Sequence, residues 1–114
     1  MAFGYSTSRL IAGASTNATL VKASPGTING WQITNVAAYA VFLKLYDSAT
    51  IPTAGAGTPK MTIAIPAAAS VAADFGLTGI FFVSGIGFTI TKLVADNDTT
   101  VLVAADAVVN LLYN

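Results

Sequence analysis

The chain has 114 residues, of which 54% are apolar and only 9% charged, with a formal net charge of zero and neither His nor Cys. That size fits one domain, and a charged fraction far below the usual level of about 25% excludes a basic nucleic-acid-binding surface. The missing residue types exclude disulfides, thiolate metal sites and imidazole chemistry.

In chain order, apolar residues recur at every second position or in short runs cut by Gly, Pro, Asn and Thr, which predicts strands rather than helices. MAFGYSTS is expected to be an N-terminal arm (residues 1–8), with Phe3 and Tyr5 as anchors on a neighbour, ahead of a single domain over residues 9–114. Arg9 precedes too short an apolar patch for a signal peptide. Expected strands follow at Arg9–Ala12, Thr19–Ala23 and Thr27–Asn35. The last two are joined as a hairpin, because Pro25 and Gly26 suit the centre of a type II turn. Ala40–Asp47 comes next, then a long loop held by Pro52 and Pro59, then a strand at Lys60–Ile65. Ala67–Ala73 follows Pro66 and is expected to be a connection with one helical turn. Gly79–Ser84 and Ile86–Thr91 are strands, with Ser84–Gly87 either a tight reversal or a bulge. Asp96–Thr100 is a polar loop, Val101–Ala105 is ambiguous, and Ala107–Tyr113 is the final strand. About eight short strands in one small domain predict an all-β, antiparallel sandwich of jelly-roll type.

Two strands are apolar on both faces, whereas a sandwich strand with one wet face alternates apolar with polar. One carries Val41, Leu43 and Leu45 against Phe42, Lys44 and Tyr46; the other carries Val109, Leu111 and Tyr113 against Val108, Asn110 and Leu112. A loop, the N-terminal segment or another subunit must cover the second face. Lys44 is expected to lay its stem on Phe42 and Tyr46 and reach water with its ammonium. Phe42, Lys44, Tyr46 and Tyr113, with the arm residues, are therefore the candidate subunit contacts. A domain of this size buries only about two-thirds of its unfolded surface, and zero net charge removes the repulsion that keeps small proteins apart. Both point to a homo-oligomer, the alternative being a monomer with a neutral, Ala- and Thr-rich surface.

Chemistry is sparse. The five acids are all Asp and all lie in or beside loops and strand ends, where solubility and turn hydrogen bonds account for them. Asp96 and Asp98 are candidate oxygen ligands for a hard cation, but the remaining spacing of an EF-hand loop is missing. Gly55–Lys60 lacks the ending and the strand-to-helix setting of a phosphate loop. No catalytic residue, cofactor or small-molecule substrate is expected. Two long uncharged runs are too broken by Pro, Gly and polar residues to span a bilayer, so no membrane partner is expected either. The aromatics Trp31, Tyr39, Phe81, Phe82 and Phe88 are core residues or, alternatively, the lining of a ligand groove.

Four segments taken in order resemble one family pattern: TNATLVKASPGTINGWQITN (Thr16–Asn35), LKLYDSATIPTAGAGTPKMTIAIP (Leu43–Pro66), GIFFVSGIGFTIT (Gly79–Thr91) and VVNLLY (Val108–Tyr113). The pattern is similar to that of small all-β virion proteins encoded among the structural genes of tailed bacteriophages, some of which decorate or cement capsids. The resemblance implies a capsid decoration protein, commonly a trimer, that is made in the bacterial host cytoplasm and bridges subunits of the major capsid protein on the capsid surface. A tail, neck or fibre component is the alternative within that class. A calcium-assisted carbohydrate-binding module is the alternative outside it.

Overall fold

Alternation of large apolar side chains builds the strands, and the inward set is nearly waterless. Val41, Leu43 and Leu45 on one strand, Ile86, Phe88 and Ile90 on another, and Val109 and Leu111 on a third are all 0% exposed. At about 25 cal/mol per Å² of apolar area, each such side chain contributes about 1.5–3 kcal/mol by leaving water. A computed structural model describes residues 4–114. It forms nine strands: β1 (Ser6–Ile11), β2 (Thr19–Lys22), β3 (Gly26–Asn35), β4 (Val41–Asp47), β5 (Met61–Ile65), β6 (Ala69–Asp74), β7 (Ile80–Phe82), β8 (Ile86–Thr91) and β9 (Ala107–Tyr113). No helix of the described residues is long and apolar enough to cross a membrane.

The strands form two sheets. Sheet 1 runs β1-β9-β3-β6 with β7 also on β3, and sheet 2 runs β2-β8-β4-β5. Every pairing is antiparallel. Strands β6 and β7 lie end to end on the same side of β3, along Gly30–Asn35 and Gly26–Ile28 respectively. Together they fill one strand position, which makes four positions in each sheet. The chain crosses between sheets at almost every connection, and only β4 and β5 are consecutive neighbours in one sheet. This is the connectivity of a jelly roll, so the expected all-β sandwich of eight strand positions is what forms.

The pairings differ from expectation in three places. Ser24–Gly26 does not close a hairpin: it carries the chain from β2 in sheet 2 to β3 in sheet 1. Ser84 and Gly85 likewise pass the chain from β7 to β8 across the sandwich, neither a reversal within a sheet nor a bulge. The Ala-rich segment is extended: Ala69–Asp74 pairs with β3 along its whole length, so the tertiary ladder overrides the helix preference of Ala. In addition, β1 begins at Ser6 rather than Arg9, which puts Ser6–Ser8 in the sheet opposite Leu111–Tyr113 instead of in an arm.

Asn29 explains why one strand position is split. It is fully buried and sits where the β3–β9 register shifts between Ile28 and Gly30. Its Nδ2 donates to the Gly76 carbonyl at 3.0 Å, and its own carbonyl accepts from Phe75 N at 2.8 Å. The chain therefore bulges away after β6 and returns at Gly79, whose φ of +61° and 2.7 Å approach of a built Cβ to the Ile28 carbonyl require glycine.

Candidate assembly surfaces

The outer face of sheet 2 is the one predicted to be covered, and two loops of the chain itself cover it. On that face Lys44 lies opposite Thr89, and Tyr46 opposite Gly87. Residues 48–60, between β4 and β5, lay Pro52 on Gly87, where a Cβ would come within 2.8 Å of the proline ring. Residues 92–106, between β8 and β9, bring the Ala95 carbonyl onto the Lys44 ammonium and the Leu93 carbonyl onto Thr91 Oγ1 at 3.1 Å. The loops meet each other where Thr99 and the Asn97 carbonyl approach Gly55. Lys44 is 0% exposed and Tyr46 6%, and Phe42 is half-buried.

These positions correct the expectation that Lys44 reaches water and that Lys44 and Tyr46 contact a neighbour. The lysine is buried along its whole length, and its charged end fastens a loop. Tyr46 Oη and Thr89 Oγ1 are buried under the same loops without a hydrogen-bond partner. A shallow hollow of about 360 Å³ beside Tyr46 is lined mainly by Ser48, Thr50, Ile51, Pro52 and Thr58. It presents hydroxyls, and the Asp47 carboxylate that also lines it is taken up by backbone N–H groups.

The acids serve the backbone. Asp47 accepts hydrogen bonds from the N–H groups of Val83 at 2.9 Å, Ser84 at 2.8 Å and Gly85 at 3.4 Å. The Ser84 bond leads in holding its carboxyl below the ordinary value, against the opposing effect of burial. Asp98 accepts from Leu93 N at 3.1 Å and Thr100 Oγ1 at 2.7 Å. Burial opposes ionisation there more than any single bond favours it, yet the hydrogen bonds together lower its pKa. Both Asp98 oxygens thus hold their own loop, while Asp96 is exposed. Among the described residues no three acidic side chains converge as metal ligands would. Asp106 accepts from Tyr39 Oη, which also accepts from Val103 N at 3.1 Å, and the Lys92 ammonium lies 4.1 Å from the Tyr39 ring centroid. Burial, then the Asp106 bond, raises the Tyr39 pKa. This cluster ties the last loop to the end of the sandwich.

The remaining predicted contacts are scattered. Phe3 lies outside the described residues. Tyr5 and Tyr113 are half-buried, and Tyr113 packs against the core. Of the aromatics, Phe82 and Phe88 are core at 0% exposure, and Trp31, 8% exposed, meets Phe75 edge-on at 5.1 Å. Phe81 is 56% exposed. It belongs to a run of exposed apolar side chains along the split strand position: Phe75 (38%), Leu77 (82%), Phe81 and Val83 (63%). Sequence reasoning missed this run, although one signal marks it. Asp74 is the only charged residue between Pro66 and Lys92.

No family model matches the chain, and the search of curated proteins gave no match. Among solved structures the chain is similar to the coat protein of Tobacco streak virus, 11% identical over 98% of this chain and 88% of that one, at a TM-score of 0.37. A likeness at that score is loose, and the jelly-roll assignment stands on the strand order alone.

Proposed function

We propose that the protein is a non-enzymatic virion component of a tailed phage, a decoration or cement protein that oligomerises, with a trimer favoured, and bridges neighbouring subunits of the major capsid protein. The observation that carries this is the exposed run Phe75, Leu77, Phe81 and Val83. Large apolar side chains left in water along one segment are the mark of a protein contact. The loop after β8 also exposes Leu93, Val94, Val101 and Val103, but the run at β7 lies on a sheet edge. The four-segment resemblance to phage virion proteins supports the same reading. A jelly roll is compatible with it but does not choose it, since lectins and capsid subunits share that fold.

The mechanism is cross-linking. Each contact is modest, and tethering several through one oligomer raises their effective concentration. The test is co-sedimentation of the purified protein with heads of the phage that encodes it. Saturable binding is expected, with loss of most of it in the pair Leu77→Asp and Phe81→Asp, whose side chains are already exposed and whose replacement leaves the core intact. Failure of the wild-type protein to sediment with heads overturns the proposal.

A further inference from the structure

The four edge strands of the sandwich are not treated alike. In sheet 2, β2 ends at Lys22 and its pairing slips between Leu20 and Lys22. The other edge of that sheet, β5, is flanked by Pro59 and Lys60 before it and Pro66 after it. Lysine, proline and register breaks are the devices that stop an edge strand from accepting another chain. Sheet 1 is guarded less: β1 and β6 carry one charged residue each, Arg9 and Asp74, and the edge shared by β6 and β7 is broken only after Asp74. Its edges, β1 and β6, contain no Lys and no Pro, and each pairs with its inner neighbour in unbroken register over six residues. Just past their ends, Ala12 N donates to the Ala107 carbonyl, the Ala12 carbonyl accepts from Ala105 N, and Phe75 N donates to the Asn29 carbonyl, so these groups also face inward.

The two edges are complementary. Following the antiparallel pairings across the sheet, β1 and β6 run in opposite directions. A second copy displaced sideways in the sheet plane therefore brings its β1 alongside β6 as an antiparallel neighbour. Arg9 on β1 and Asp74 on β6 are both exposed. Both point to the outer face of the sheet, as the cross-strand row Arg9, Asn110, Gln32 and Ala72 shows. Placing Arg9 of one copy opposite Asp74 of the next sets Ile11, 49% exposed, beside Ala72. On the inner face the same register sets Leu10 beside Ala73, two residues that flank the core half-buried and would then be covered.

We infer that copies of this chain associate head to tail, β1 of one adding to β6 of the next, so that sheet 1 continues from subunit to subunit. The contact is heterologous, and it closes into a ring when the rotation between copies allows. In this register Ser6–Ser8 of one copy come opposite Phe75–Leu77 of the next, so the contact borders the proposed capsid surface, and its test is read from mass in solution, apart from capsid binding.

The test is mass in solution by light scattering and sedimentation, with circular dichroism as the fold control. The wild-type protein is expected to be oligomeric. Arg9→Asp and Asp74→Arg each place like charges across the contact and are expected to raise the dissociation constant about tenfold or more. Because Asp74 Oδ1 also accepts from Gly76 N at 2.9 Å, Asp74→Asn, which keeps that acceptor, is the milder companion. The double reversal in one chain restores association; mixing the two reversed proteins restores it at every junction where they alternate, so a ring of three keeps one like-charged junction. A wild-type monomer at about 100 μM, within the usual range of weak complexes, overturns the inference even if the protein binds heads. So do single reversals that keep the wild-type mass.

Discussion

The two sheets share a core but meet solvent in opposite ways. Sheet 2 is closed on its outer face by the chain's own loops, with Lys44 and Tyr46 sealed beneath them, and its edges carry Lys22, Lys60 and prolines. Sheet 1 leaves Arg9, Gln32, Ser70 and Ala72 in water, and its edge strands β1 and β6 hold no Lys or Pro. The loops that cover sheet 2 carry Lys60, Lys92, Asp96, Asp98 and Asp106, half of the ten charged residues, whereas the strands of sheet 1 carry only Arg9 and Asp74.

Disturbing the covered face should therefore cost stability, and disturbing the open one should not. The largest effect is expected at Lys44. Lys44→Ala empties a fully buried site and leaves the Ala95 carbonyl without its donor, an expected loss of about 2–4 kcal/mol in urea unfolding. Lys44→Met keeps most of the volume and should recover more than half of that. Next is Gly87→Ala, whose added methyl group meets Pro52, at about 1–3 kcal/mol. The matched change on the open face, Gln32→Ala, should stay within about 0.5 kcal/mol. Equal losses at positions 87 and 32 would erase the distinction between the faces.

A pH-dependent effect concerns Asp47, whose carboxyl joins the end of β4 in sheet 2 to the turn that follows β7 in sheet 1. Its folded pKa is lowered, so its contribution is complete above the unfolded carboxylate value, about 3.9. That contribution disappears as pH falls through the folded value. Asp47→Asn should lower stability by about 1 kcal/mol at neutral pH, and the gap to wild type should close on acidification. A gap that widens in acid would reverse the assignment.

Much of the architecture was legible because it is written in local pattern. The alternation in Val41–Asp47, Ile86–Thr91 and Ala107–Tyr113 placed those strands within a residue of where they form. Pairing is a long-range property and was not legible in the same way. Ser24-Pro25-Gly26 has the chemistry of a hairpin turn, and the same chemistry serves a crossing between sheets. The fate of Lys44 was hidden for a similar reason: its partner carbonyl is 51 positions away. So were the amides that brace the fold. Asn35, 1% exposed, donates to the carbonyls of Tyr39, Ile65 and Pro66 and accepts from Ala37 N, so one neutral side chain ties the end of β3 to the opposite sheet. Among the contact candidates, the expectation of surface at Lys44 and Tyr46 failed because two loops lie there, and the exposed run at Leu77 and Phe81 was overlooked because apolar residues are usually interior.

The split of one strand position into β6 and β7 also bears on how the molecule opens. A three-residue strand held on one side only has few hydrogen bonds to lose, so the segment from Phe75 to Val83 should fluctuate open at a lower free energy than the rest of the sandwich and exchange its amide protons first. That segment carries the proposed capsid contact. Binding there would quench the fluctuation, and protection of those amides on the capsid would register engagement even with no change in the protein's average shape.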